Sequence, residues 1–264
     1  MNRRPLLISL LATALPAVAA QKKSLADPLL LGVEQSLVDA GLAQAFQKAF
    51  GRDTGVAVKL VPGTSASVLS ALEQGDVDSS MTNAPEIENR LEKQGLAHDR
   101  HVIAGGDFVL VGPVEGKGKK ATDPAGLLGE RDIGAALAKL AEAKAPFIAP
   151  LPGSSANLGE LVLWRAAKVA PGNPWYLKAP AGTDPLALAI STGAYTVVDR
   201  GQWLRRGGKP LAIIVEGDPR MATQVVVMRS FRVNHPAAKL FGQWVSGANG
   251  RRVAGSARGW KGVK

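Results

Sequence analysis

Pro28-Leu29-Leu30-Leu31-Gly32-Val33-Glu34-Gln35-Ser36 is an apolar run that ends in a hydroxyl-bearing turn, and its reading decides the fold. Pro28–Leu31 has the composition of a short buried strand. Ser36 then opens a helix to about Phe50, with Val38, Leu42, Phe46 and Ala49 at helical spacing and Gly51 and Gly55 behind it. Val56–Val61 alternates as a second strand. Thr64 or Ser65 caps a second helix through Val68, Leu69 and Leu72, which Gly75 ends. Asp78–Thr82 reads as a third strand and Pro85–Gly95 as a third helix. Strand and helix alternate, which predicts an α/β sheet with crossover helices.

Further along, Phe108–Val111 is a strand stopped by Gly112-Pro113, and Val114–Lys120 has linker composition. A second α/β series follows. Helices are predicted over Ile133–Ala143, Leu158–Lys168 and Pro185–Thr192, and strands over Pro146–Ala149 and Ala194–Asp199. Leu211–Val215 and Val225–Met228 are strands, and Ala237–Ser246 is a terminal helix. The pattern predicts a leader over 1–20, one lobe from 21–110 plus 224–264, and a second from 111–223. The lobes should close about the crossing strands near Phe108–Val111 and Val225–Met228.

The leader reading rests on Arg3 and Arg4, the apolar Leu6–Ala14 and the small residues Pro16-Ala17-Val18-Ala19-Ala20. Cleavage near Ala19-Ala20 would export the chain; Arg3-Arg4-Pro5-Leu6-Leu7 leaves the general and twin-arginine routes both open. The apolar run is shorter than the roughly 20 residues of a membrane-spanning helix. With the leader gone, 30 basic residues face 22 acidic ones, a net +8. Such a field attracts anions and also keeps a surface soluble. The basic residues are scattered, aromatics are 5% and no nucleic-acid motif occurs, so nucleic acid is not an expected partner. The cluster Arg251, Arg252, Arg258, Lys261 and Lys264 reads as a solvated end.

There is no cysteine, which excludes disulfides and thiolate chemistry. His98 and His101 lie in loop-like sequence without a third ligand, so no metal site is expected. No nucleophile elbow or phosphate-loop motif appears, and the chain reads as neither an enzyme nor a cofactor protein. Three segments instead suggest anion binding: Glu34-Gln35-Ser36, Thr64-Ser65 and Ser154-Ser155. Each joins a strand end or loop to a helix start, where unpaired N–H groups and a positive dipole end favour an anion. Helix capping alone also accounts for these hydroxyls. Trp164 and Tyr195 read as packing residues.

The order of several segments resembles the periplasmic tungstate-binding proteins of ABC importers. They are Gly75-Asp76-Val77-Asp78 leading to Asn83-Ala84-Pro85-Glu86, then Asp107–Pro113, then Leu161–Trp164 with Trp175-Tyr176-Leu177. Gly193–Gly201 and Val215–Pro219 continue the match. The resemblance implies a two-lobed type II periplasmic-binding-protein fold with two crossing hinge strands. It also implies a monomer that holds a tungstate-like oxyanion and docks on a membrane permease.

The departures from that family lie in the pocket. A run of threonines ending in serine is here Val33-Glu34-Gln35-Ser36. A Gly-Thr-Gly loop is Gly63-Thr64-Ser65, a histidine is replaced by Asn83, and an arginine-bearing stretch reads Ala149-Pro150-Leu151-Pro152-Gly153. Glu34 puts a carboxylate where anion charge should sit. Two like charges about 4 Å apart repel by roughly 4 kcal/mol at an effective dielectric of 20, on the order of a thousandfold in affinity. Glu34 as a rim carboxylate paired with a basic residue is the alternative. Asn83 is a neutral donor or a turn residue. Arg200 either supplies the missing positive charge or forms a structural ion pair. The ligand is then an oxyanion, or a neutral or amino-bearing solute. A periplasmic sensor or accessory factor without a permease is the remaining alternative.

Overall fold

The computed structural model describes residues 23–116 and 118–263. The predicted leader lies outside the described residues. β1 (Leu29–Glu34) leads into α1 (Gln35–Asp39) and α2 (Leu42–Thr54), so the single helix expected from Ser36 is two, broken at Ala40-Gly41. β2 (Val58–Gly63), α3 (Ser65–Gln74), β3 (Ser79–Thr82) and α4 (Pro85–Lys93) follow in the predicted order. β1 lies between β2 and β3, parallel to both, with Val33 level with Pro62 and Met81. Leu29, Leu31 and Val33 point into a core with Phe46 and Phe50 of α2. Burying each such side chain contributes about 1.5–3 kcal/mol.

β4 (Ala97–Pro113) is one strand of 17 residues, far longer than the expected Phe108–Val111. After it come α5 (Ile133–Ala143), β5 (Phe147–Ala149), α6 (Ser155–Ala166), β6 (Tyr176–Lys178), α7 (Pro185–Thr192) and β7 (Thr196–Asp199). α8 (Arg200–Arg206), β8 (Leu211–Val215), β9 (Ala222–Ser230), α9 (Pro236–Ser246), α10 (Ala248–Ser256) and β10 (Lys261–Gly262) complete the chain.

The first half of β4 belongs to one sheet and the second half to another. From Ala97 to Asp107 it pairs antiparallel with β9, which also pairs with β3. From Phe108 it pairs with β7, and from Leu110 with β8 as well. The chain therefore passes between the halves at Asp107/Phe108 and returns between β8 and β9. The first crossing thus adjoins Phe108–Val111 on β4, and the second comes just before Val225–Met228 on β9. Arg200 fastens the two crossings together. Its Nε and Nη2 donate to the two oxygens of Asp107 at 2.6 Å each, and its Nη1 donates to Glu216 at 2.6 Å.

The second half has its own core, in which Phe147, Trp164 and Tyr195 are buried as packing residues. The described basic residues of the tail are solvated as expected, Arg258 and Lys261 among them, while apolar residues between them anchor it. Arg251 and Arg252 are exposed on α10, but Ala254 and Trp260 are buried in the first core. β10 extends the sheet along Ala104 and Gly105, and Trp260 lies flat on Gly106. A Cβ at Gly106 would stand 2.5 Å from Trp260 Cζ3, so only glycine allows this approach. His98 and His101 sit in β4 rather than in a loop. A bulge between them sets His98 opposite Arg229 and His101 opposite Val227 of β9, so both face the same side of the strand. Among the described residues no group of three or more His, Asp or Glu could hold a metal.

Candidate functional site

The carboxyl ends of β1, β2 and β3 are level, because Glu34 pairs with Gly63 and Val33 with Met81. Each strand runs into a helix start. Their first residues, Gln35 and Ser36, Thr64 and Ser65, and Asn83, therefore share one edge of the sheet. The second half brings Ser154 and Ser155 to this edge through the turn before α6. Gly153, at φ +78, makes that turn and leaves 3.1 Å between an added Cβ and Ala66 Cβ, so a side chain there would be strained and crowded. Across the gap Ala66 N–H donates to the Gly153 carbonyl at 3.0 Å. Gln202 of α8 donates to Asp39 of α1 at 2.8 Å, and Asp39 also accepts from Gln35 at 2.7 Å.

The hydroxyls divide into caps and free groups. Thr64 caps α3 by accepting from Ser67 N–H at 3.2 Å, and Ser154 caps α6 by accepting from Asn157 N–H at 3.2 Å. Ser36, Ser65 and Ser155 are buried, and their hydroxyls have no hydrogen-bond partner. Both polar atoms of Asn83 are likewise buried and unpaired. Asn83 is held by Glu88, which accepts from Thr82 Oγ1 and Ala84 N–H at 2.8 Å each. Native interiors leave few such groups without partners, so four in one edge mark a place built for polar contact.

Glu34 lies in the middle of this set. It is not a rim carboxylate: it is 1% exposed, and no lysine or arginine pairs with it among the described residues. Its Oε2 accepts from Ser155 N–H at 3.3 Å, across the two halves. Burial raises its pKa, while the Ser65 hydroxyl, close to the carboxylate but without a formed hydrogen bond, and the amides of Ser155, Ser65 and Ser36 oppose the rise. Nearby Asp199 caps α8, accepting from Gly201 N–H at 2.8 Å and Gln202 N–H at 3.3 Å. Burial, with the charge of Glu34 added, pushes Asp199 up to about 7.

A cavity of ≈ 740 Å³ opens from the site between the halves. Glu34, Gln35, Ser36, Ser154 and Ser155 line it, whereas Thr64, Ser65, Asn83 and Arg200 do not. Arg200 does not supply the missing positive charge, since both edges of its guanidinium are taken by Asp107 and Glu216. Sequence reasoning missed the outer wall: Asp39, Asp184, Gln202, Arg205 and Arg206. Arg206 is paired with Asp184; Arg205 has no carboxylate partner among the described residues. The only advance signal for this wall was the Asp199-Arg200-Gly201 turn, which caps the short α8. The arrangement is equipped to hold a small polar solute.

Residues 19–248 match the sequence model of a family described as the PBP superfamily domain. The tungstate-binding protein TupA of Peptoclostridium acidaminophilum is 29% identical over 94% of this chain and 90% of that protein. A solved structure titled as the tungstate ABC transporter from Geobacter sulfurreducens superposes with a TM-score of 0.74 at 28% identity, covering 86% of this chain and 97% of that one. The tungstate-binding protein TupA from Desulfovibrio alaskensis G20 gives a TM-score of 0.71 at 25% identity, over 90% and 99%.

Proposed function

The chain belongs to the PBP superfamily, and from that membership we propose that it is the extracytoplasmic solute-binding component of an ABC-type importer. Its ligand is a small oxyanion held between two lobes. The observation that carries this reading is the pair of free Ser36 and Ser155 hydroxyls lining the cavity at the start of α6, with Ser65 and Asn83 unpaired at the same sheet edge. Helix starts supply unpaired amides and positive potential to an anion without a metal. The similar tungstate-binding proteins support the same ligand class. The lobes meet at Asp107/Phe108 and between β8 and β9. Donors from both would favour the closed form, which a membrane permease reads. Export by a leader cut near Ala19-Ala20 would deliver the protein as a monomer to the periplasm.

A ligand that binds only the folded form raises the melting temperature; at a hundred times Kd it contributes about 2.7 kcal/mol. Tungstate, molybdate, sulfate and phosphate, each at millimolar concentration, form the test panel. A rise with at least one, reduced by Ser36→Ala or Ser155→Ala, is the expected result. No shift with any of them overturns the oxyanion reading. The unpaired Glu34 carboxylate favours a second reading, a neutral or amino-bearing solute on the same scaffold. A rise with amino acids and none with oxyanions would select it.

A further inference from the structure

Glu34 sets the chemistry of the ligand. Its carboxylate is buried where the starts of α1, α3 and α6 meet, and it brings no cation with it. The site therefore offers two kinds of group. The amides and the free hydroxyls of Ser36 and Ser155, which line the cavity, donate, whereas the Glu34 carboxylate accepts. A fully ionised tetrahedral oxyanion has acceptors only. Against Glu34 it gains no hydrogen bond and meets a like charge in a largely dry place. An oxyanion that keeps a proton satisfies both kinds at once. Its O–H donates to Glu34, and its remaining oxygens accept from the amides and hydroxyls.

We infer that Glu34 is a specificity determinant that admits oxyanions carrying a proton at neutral pH, the hydrogen phosphate class, and rejects fully ionised ones such as sulfate and tungstate. This rests on the oxyanion reading above. The O–H···carboxylate bond is charge-assisted and short, and so stronger than a neutral one. Repulsion by Glu34 weighs on every dianion alike; a fully ionised one alone lacks this bond and sets acceptor against acceptor, a difference of about ten- to a hundredfold in affinity.

The charged surroundings of Glu34 do not reverse the effect. The first turns of α3 and α6 carry no charged side chain. Asp199, at the head of α8, adds negative potential. Asp39 on α1, Asp184 before α7, and Arg205 and Arg206 on α8 line the cavity, and one of these arginines is already paired. The distinction between anions also has a proton signature. When Glu34 itself takes up a proton, it becomes a donor and accepts sulfate. Binding of sulfate should therefore strengthen as pH falls, with uptake of one proton.

Near pH 8 hydrogen phosphate, sulfate and tungstate are all tetrahedral dianions; phosphate and sulfate are close in size and differ in the proton, and tungstate is the larger fully ionised control. Calorimetric titration of the purified protein with each salt at that pH is the test. Wild type should bind hydrogen phosphate about ten- to a hundredfold more tightly than the other two. In Glu34→Gln the preference should shrink to within about twofold, as the amide can donate to sulfate and tungstate. Glu34→Asp, which keeps the charge, should retain it. Equal affinities in wild type overturn the inference. So does a wild type that binds none of the three beside a Glu34→Gln that binds all alike, for Glu34 then simply occupies the anion position. If neither form binds any salt, the oxyanion reading falls and this inference with it.

Discussion

Replacing Glu160 by glutamine isolates the cost of a buried charge behind the site. Glu160 lies in α6, the helix whose start carries Ser155, and it is fully buried. Its carboxyl accepts from Trp164 Nε1, from Tyr176 Oη–H at 3.3 Å and from Asn157 Nδ2 at 3.4 Å. None of these partners is cationic. Burial therefore dominates and raises its pKa from 4.5 to about 7. The folded chain keeps the proton up to about pH 7, while the unfolded chain releases it near 4.5. Between these values the native state binds the extra proton, so stability falls as pH rises. At 1.36 kcal/mol per pKa unit the full loss, reached above about pH 7, is about 3 kcal/mol. Glutamine mimics the neutral acid and carries no such penalty. Urea unfolding near pH 5 and near pH 8 measures it. Glu160→Gln should match wild type within about 1 kcal/mol at the lower pH and exceed it by about 2–3 kcal/mol at the higher. A difference that is the same at both pH values, or a variant weaker than wild type near pH 8, refutes the reasoning. Asp199 titrates in the same direction, but it contributes equally to both proteins and cancels in the comparison.

Two further changes test the hinge. Gly106→Ala forces a methyl against the Trp260 ring and should lower stability by about 1–3 kcal/mol, read as a fall in melting temperature; an unchanged melt would mean that the tail does not press on β4. Arg200→Ala leaves Asp107 and Glu216 without their partner and should cost about 1–3 kcal/mol in thermal unfolding, with Arg200→Lys unable to restore the two-pronged contact with Asp107. Ligand affinity should stay within a few-fold in Arg200→Ala; a collapse of binding without loss of stability would place Arg200 in the pocket after all.

The alternation of strands and helices was legible where local signals agreed. β1 to α4 and α5 to β7 carry apolar periodicity bounded by caps and glycines, and these elements formed in the expected order, save for the break between α1 and α2 and the unforeseen β6. β4 was not legible before Phe108. His98-Asp99-Arg100-His101 is polar and Gly105-Gly106 is a poor strand former, so only pairing with β9 makes this stretch a strand. α10 was hidden for a similar reason: Gly250 and Gly255 weaken its helix propensity, and packing against α9 and α2 sustains it. At the site, the sequence marked the hydroxyl-bearing helix starts but could not separate Thr64 and Ser154, which cap, from Ser36, Ser65 and Ser155, which stay free. The depth of Glu34 depends on Ser155, distant in sequence and near in space. No local pattern encodes that contact. The competing roles for Arg200 were likewise decided only by Asp107 and Glu216 arriving beside it.

Arsenic scatters anomalously and hydrogen arsenate keeps a proton near neutral pH, so a crystal grown with arsenate locates the anion directly. One anomalous peak should appear beside Ser36, Ser65 and Ser155, with an arsenate oxygen within hydrogen-bond distance of the Glu34 carboxylate. A peak on a surface arginine instead, or none in the cleft at saturating arsenate, would contradict anion binding at these helix starts.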